Sequence, residues 1–141
     1  MVYVDTSVIV AYYCPEALSE KAEAFITTHA RPAISPLTEL ELFSAISRKI
    51  REGNMDRKDG SRIIAKFLSH LDDLFYTKIP IEPHHYRLAR DWIGQFITSL
   101  RSLDAIHLAI ASSEGATLVT ADEVLATSGE TLAVDVILLS K

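Results

Sequence analysis

The chain has only one cysteine, Cys14, so it closes no internal disulfide and builds no thiolate metal cluster. A reduced compartment suits such a chain. Long apolar runs are also missing: none approaches the ~18 residues of a membrane span. The start, Met1-Val2-Tyr3-Val4-Asp5, has neither the basic opening nor the long apolar stretch of a secretory signal. A cytoplasmic location without membrane attachment is expected. The five glycines, Gly53, Gly60, Gly94, Gly115 and Gly129, are scattered, so no glycine-rich phosphate loop exists. Histidines are equally sparse. His84 and His85 have no third metal-type ligand beside them, and the pair reads as a solvated helix start rather than a zinc site.

Composition places the chain among ordinary globular proteins, with 48% hydrophobic and 23% charged residues over 141 positions. That length suffices for one domain with a normal core. The net charge of −5 argues against a protein that coats nucleic acid regardless of sequence. The average conceals a local excess of positive charge. Arg48, Lys49, Arg51, Arg57, Lys58, Arg62 and Lys66 crowd one window with only Glu52, Asp56 and Asp59 to offset them. Such a window is either a solvated helix face or a surface for a polyanion.

Apolar spacing sets out the elements. Residues 2–5 read as a short buried strand, and helical turns follow to about residue 12. Residues 16–29 carry Leu18, Ala22, Phe25 and Ile26 at helical spacing. Pro32 and Pro36 bracket a very short strand at 33–35. From Leu37 the helical period returns through Leu42, Phe43, Ile46 and Ile50 until Gly53-Asn54 stops it. A helix over about 56–74 is expected to bury Ile63, Ile64, Phe67, Leu68 and Leu71. Residues 75–81 read as a strand limited by Pro80. A helix from Pro83 through about Phe96 is expected to turn Tyr86, Leu88 and Trp92 inward. Residues 102–114 predict a helix capped by Ser102, with Leu103, Ile106 and Ile110 facing the core. A strand at 117–120, a short helix at 122–128 and a strand at 132–138 complete the pattern. Short strands alternating with helices imply a three-layer α/β/α sandwich around a central, mostly parallel sheet.

Four acids then stand out by position. Asp5 ends the first strand, and Asp122 follows the strand Thr117-Leu118-Val119-Thr120. Ligands of parallel sheets bind at the carboxyl ends of the strands. Each of these two acids also suits a plain helix N-cap, since each precedes a helix. Asp104 falls in the first turn of an otherwise apolar helix, where the dipole favours its anion by a few tenths to ~1 kcal/mol. Glu41 lies beside the apolar face of its helix, whereas Glu39 points elsewhere and reads as a surface acid. Oxygen-only donors suit a hard cation such as Mg²⁺ or Mn²⁺ and disfavour zinc. Four such carboxylates repel one another unless a proton or a cation intervenes. One ion or two are equally compatible with this set. The pattern thus predicts metal-dependent chemistry on phosphates.

Other phosphate enzymes fit less well. A receiver domain needs a lysine after a late strand, and no lysine occurs between Lys78 and Lys141. A haloacid-dehalogenase-like phosphatase needs a second Asp where Ser7 stands. Arg48, seven residues after Glu41, projects from the same side of its helix and suits either a substrate phosphate or an acid partner. Arg57, Arg62 and Arg101 are further candidates for the substrate backbone. His107, one turn after Asp104, reads as a packed histidine more readily than as a site residue.

As an ordered set, Val4-Asp5-Thr6-Ser7, Ser35-Pro36-Leu37-Thr38-Glu39-Leu40-Glu41, Leu103-Asp104-Ala105-Ile106-His107-Leu108-Ala109 and Val119-Thr120-Ala121-Asp122 resembles the PIN-domain nucleases. The likeness is greatest to the VapC toxins of toxin–antitoxin pairs. The resemblance implies a single PIN domain over residues 1–141. It makes Asp5, Glu41, Asp104 and Asp122 the metal-binding catalytic acids, supported by Thr6, Ser7 and Thr120. It further implies Mg²⁺ or Mn²⁺, cleavage of structured RNA such as transfer or ribosomal RNA, and homodimers. A small VapB-like antitoxin, whose tail enters the acidic groove, would be the partner. The same motifs also fit a housekeeping RNA-processing nuclease without antitoxin. They fit as well a non-catalytic RNA- or protein-binding module that keeps the acids for structure.

Overall fold

A computed structural model describes residues 1–140. In chain order the elements are β1 (Val2–Val4), α1 (Thr6–Tyr13), α2 (Ser19–Thr28), β2 (Ala33–Ile34), α3 (Pro36–Arg51) and α4 (Arg57–Asp72). They continue with β3 (Thr77–Lys78), α5 (Pro83–Ile93), α6 (Ser102–Ser113), β4 (Thr117–Thr120), α7 (Glu123–Thr131) and β5 (Val136–Leu138). The five strands form one sheet in the order β3-β2-β1-β4-β5. All pairings are parallel, with Tyr3 opposite both Ala33 and Leu118.

Side-chain alternation along the strands divides the interior in two. Tyr3, Ala33 and Leu118 face one layer, where they meet Trp92 of α5, Leu108 and Ile110 of α6 and Leu125 of α7. Val4, Ile34 and Val119 face the other, against Val8 and Ile9 of α1, Ile26 of α2, Leu42 and Ile46 of α3 and Phe67 of α4. The central strands are buried on both faces, which is why they read as short unbroken apolar runs. Pro36 opens α3, and the Ser35 backbone N–H donates to Thr38 Oγ1 at 3.2 Å. Gly53, at φ +78°, ends the turn after α3, a conformation that only glycine adopts freely.

The helices depart from their expected faces in particular places. Tyr86 is 55% exposed because α5 buries the stripe His85, Ala89 and Trp92 instead. His85 is therefore interior rather than a solvated helix start: its Nδ1 accepts from the Glu82 N–H at 2.9 Å. Leu103 is 48% exposed, since the first turn of α6 stands at the rim of the sheet while Ala105–Ala111 run through the interior. Leu68 of α4 is exposed, and of that helix's expected core residues only Phe67 is fully covered. Ser102 is the first residue of α6 rather than its cap; Arg101 holds the cap position without a side-chain bond. The strands expected at 75–81 and 132–138 shrink to two and three residues, β3 and β5, at the sheet's edges. Among the described residues no helix is long and apolar enough to cross a membrane.

Candidate active site

The direction of strand addition reverses between β1 and β4. β2 and β3 extend the sheet to one side of β1, and β5 extends it to the other side of β4. Chain segments leaving β1 and β4 diverge, so a crevice opens at their carboxyl ends. Asp5 directly follows β1, and its N–H is fastened to the Val119 carbonyl at 3.0 Å. Asp122 lies two residues beyond β4.

Asp5 is nearly inaccessible, at 4% exposure. Its Oδ1 accepts from Ser7 Oγ at 2.6 Å and from the Val8 N–H at 3.3 Å; its Oδ2 accepts from Thr120 Oγ1 at 2.6 Å. Asp5 thus does cap α1, and it is also clamped by hydroxyls from two further positions. Ser7 Oγ accepts in turn from the Ala121 N–H at 2.9 Å, and Thr120 Oγ1 from the Asp122 N–H at 3.0 Å. Asp122 caps α7 through Oδ1, which takes the Val124 and Leu125 N–H groups at 2.9 and 3.1 Å. From the middle of α3, Glu41 extends Oε1 to Thr6 Oγ1 at 2.6 Å and to His107 Nε2 at 2.5 Å. The side chain of Asp104, half-buried in the first turn of α6, makes no hydrogen bond or ion pair among the described residues.

A family model for the PIN domain matches residues 2–129. The chain belongs to the PIN-domain family. The family's members are nucleases that generally use divalent metal ions. Several solved structures share the fold. The FitAcB structure from Neisseria gonorrhoeae aligns at a TM-score of 0.72 and 17% identity, over 97% of this chain and 96% of that one. VapBC2 from Rickettsia felis, bound to a DNA fragment from its promoter, aligns at 0.69 and 18%, over 99% and 100%. VapC20 of Mycobacterium tuberculosis, a sarcin–ricin-loop-cleaving toxin, aligns at 0.66 and 16%, over 84% and 87%. At these identities the likeness is one of fold. No curated protein matches the chain.

The PIN fold brings all four predicted acids into one electrostatic neighbourhood. Burial raises the Asp104 carboxyl above the ordinary range, and the charges of Asp122, Asp5 and Glu41 raise it further against a smaller pull from His107. Burial also raises Asp5, against the hydrogen bonds of Ser7 and Thr120. For Glu41 burial acts in the same direction, but the bonds from His107 and Thr6 prevail and hold its carboxyl low. Among the described residues no three acidic, histidine or cysteine side chains converge tightly enough to grip one ion in their present rotamers. Asp5, Asp122 and Glu41 each commit at least one carboxylate oxygen to protein donors. The donor set still fits a hard cation. It consists of carboxylate oxygens, and Asp104 carries a charge with no partner while three others press on it.

A pH dependence follows for the metal-free protein. A folded-state pKa above the unfolded one contributes stability below the unfolded pKa that disappears as pH rises through the folded value. Asp5 and Asp104 are of this kind. Glu41 is the opposite, and its contribution disappears as pH falls through its lowered value. The stability that Asp104 contributes is therefore full below the ordinary carboxylate range and is lost as pH rises through its raised value. Thermal melts in chelator are expected to show Asp104→Asn gaining on wild type as pH rises through that range, and saturating divalent ion should remove the gain. Parallel pH profiles of the two proteins in chelator would contradict the crowding of these acids.

Of the predicted substrate residues, Arg48 alone shares a described cavity with one of the acids, Glu41. It lines a cavity of about 440 Å³ together with Thr6, Ser7, Glu41, Lys49 and Leu103. Lys49 is held by Glu16 at 3.0 Å, whereas Arg48 has no ion-pair partner among the described residues. Arg57 borders a separate apolar groove with Leu40 and Phe43, and exposed Arg62 meets Asp59 at 3.4 Å. Arg101 is exposed at the N-cap of α6. His107 does more than pack, since it touches Glu41. The clue available beforehand was its position one turn from Asp104, inside a helix too apolar to leave an imidazole without partners. Tyr3 was not singled out at all. Its buried hydroxyl, pushed up to about 12 by desolvation, lies 2.7 Å from His107 Nδ1.

Proposed function

We propose that this PIN domain is a Mg²⁺- or Mn²⁺-dependent endoribonuclease and the toxin of a toxin–antitoxin pair. The observation that carries the reading is the unpartnered Asp104 set among Asp5, Glu41 and Asp122 at the sheet's switch point. The four acids would hold the ion through the carboxylate lone pairs that their hydrogen bonds leave free. A divalent ion, when bound, polarises a phosphoryl oxygen and lowers the pKa of water. Ser7 and Thr120 keep Asp5 aimed, and Thr6 does the same for Glu41. Arg48, on the wall of the adjoining cavity, would hold a phosphate of the RNA. RNA as substrate is supported by the toxin VapC20, which cleaves the sarcin–ricin loop. An antitoxin partner is supported by the fold shared with VapBC2. The protein would act in the cytoplasm as a homodimer of single-domain chains.

The test is incubation of the purified protein with total cellular RNA and Mg²⁺, with end mapping of products and Asp5→Ala as the control. Site-specific cleavage that chelator abolishes is expected, together with growth arrest on expression that a small neighbouring antitoxin gene relieves. Equal cleavage by wild type and Asp5→Ala would rule the reading out.

A further inference from the structure

The acids of the crevice differ in how they are anchored. Asp5 and Asp122 sit at helix starts, where unsatisfied backbone N–H groups are available, and both use them. Glu41 lies within α3, where the backbone is already paired, and its side chain has one more rotatable bond than an aspartate. Whatever orients it must be another side chain. Thr6 is one such group, and His107 is the other.

His107 is 3% exposed, and both ring nitrogens are engaged. A carboxylate only accepts, so Nε2–H donates to Glu41 Oε1 at 2.5 Å. Nδ1 lies 2.7 Å from the Tyr3 hydroxyl. Tyr3 OH also lies 2.8 Å from Ser35 Oγ, at the N-cap of the helix that carries Glu41. The hydrogen bonds therefore close a ring, from the start of α3 through β1 and α6 and back to the middle of α3. With both nitrogens committed, the imidazole has no lone pair to give a cation.

Resting on the nuclease reading above, we infer that His107, itself oriented by Tyr3, is a positioning residue that fixes the Glu41 carboxylate for metal binding. It holds Oε1 back in the protein and leaves Oε2 as the oxygen that faces the crevice. Partners of metal-binding carboxylates typically change affinity or activity by about 10–100-fold when removed.

The experiment is calorimetric titration of Mn²⁺ into wild type, His107→Ala, His107→Gln and Tyr3→Phe, with kcat and KM for an RNA substrate measured in parallel. His107→Ala is expected to weaken Mn²⁺ binding by about 10–100-fold and to lower kcat while KM for RNA stays put. His107→Gln should recover much of the loss, because its amide N–H reaches the place of Nε2. Tyr3→Phe keeps the ring but frees Nδ1, and should fall between wild type and His107→Ala. Should His107→Ala fail to fold, the Gln and Phe variants carry the comparison, with circular dichroism confirming their fold. If the variants lose thermal stability yet bind Mn²⁺ as wild type does, the inference is overturned and His107 only packs. A wild type that neither binds Mn²⁺ nor cuts RNA overturns the nuclease reading itself.

Discussion

Asp104→Asn is expected to remove metal-dependent cleavage while making the metal-free protein more stable. The amide matches the carboxylate in shape, and among the described residues Asp104 has no hydrogen bond or ion pair to lose. The first turn of α6 favours its anion by only a few tenths to ~1 kcal/mol. Burial and the neighbouring acids oppose that anion more strongly, as the upward displacement of its pKa requires. Neutralising the side chain therefore relieves repulsion in the metal-free protein. Activity should move the other way, because on the proposed reading the variant lacks an oxygen anion that would hold the cation. A fall in kcat of at least about 10²–10³-fold is expected, the scale for loss of one preorganised electrostatic group. Melting with and without Mn²⁺ separates the two effects. Wild type should gain about 2.7 kcal/mol when the ion is at a hundred times its Kd, and Asp104→Asn should gain little. Asp5→Ala removes cleavage too, but with the opposite effect on the fold. It strands the Ser7 and Thr120 hydroxyls and the Val8 N–H, at about 1–3 kcal/mol for each group left unpaired. Wild-type cleavage by Asp104→Asn, with clean metal stocks, would dismiss the acids as the reaction centre.

Phe67→Ala is expected to cost about 3–5 kcal/mol in urea unfolding, the range for removing a fully buried aromatic ring. Phe67 is wholly covered. Its ring meets Tyr13 edge-on at 5.5 Å between centroids, Tyr76 at 6.0 Å and Phe43 at 6.4 Å. It is the one large side chain of α4 that is fully covered in the layer containing α1 and α3, beside partly buried Ile63, Ile64 and Leu71 and the close approach of Gly60 to Ile46 and Ile50. Because α3 carries Glu41, the variant should also bind Mn²⁺ more weakly near its melting range. A change within about 0.5 kcal/mol, as at exposed positions, would mean that α4 does not pack as described.

The parts of the site that were legible along the chain are those set by neighbours in sequence. Asp5 and Asp122 follow apolar strands and start helices, so their place at the carboxyl edge of a parallel sheet can be argued from a few residues each. Asp104 in a first helical turn is equally local. The alternation of short strands with amphipathic helices likewise foretold a parallel sheet covered on both faces, and the structure has one.

What stayed hidden depends on contacts between distant residues. Periodicity shows that a helix has an apolar stripe, but one residue of phase moves the stripe. α5 runs its buried stripe through His85 and leaves Tyr86 outside, a choice made by what packs against it. Leu103 fits the apolar pattern of its helix yet lies at the rim, because burial there depends on where the sheet stops. His107 and Glu41 are 66 positions apart, and Tyr3 and His107 are 104 apart. No local pattern records such a pairing. The residues that supply charge could be picked out along the chain, since strand ends and helix starts are local events. Thr6, Ser7 and Thr120 lie beside those acids in sequence or in motif, but the Tyr3–His107–Glu41 chain emerged only when β1, α3 and α6 were brought together, because a hydrogen bond is specified by distance in space and not by separation along the chain.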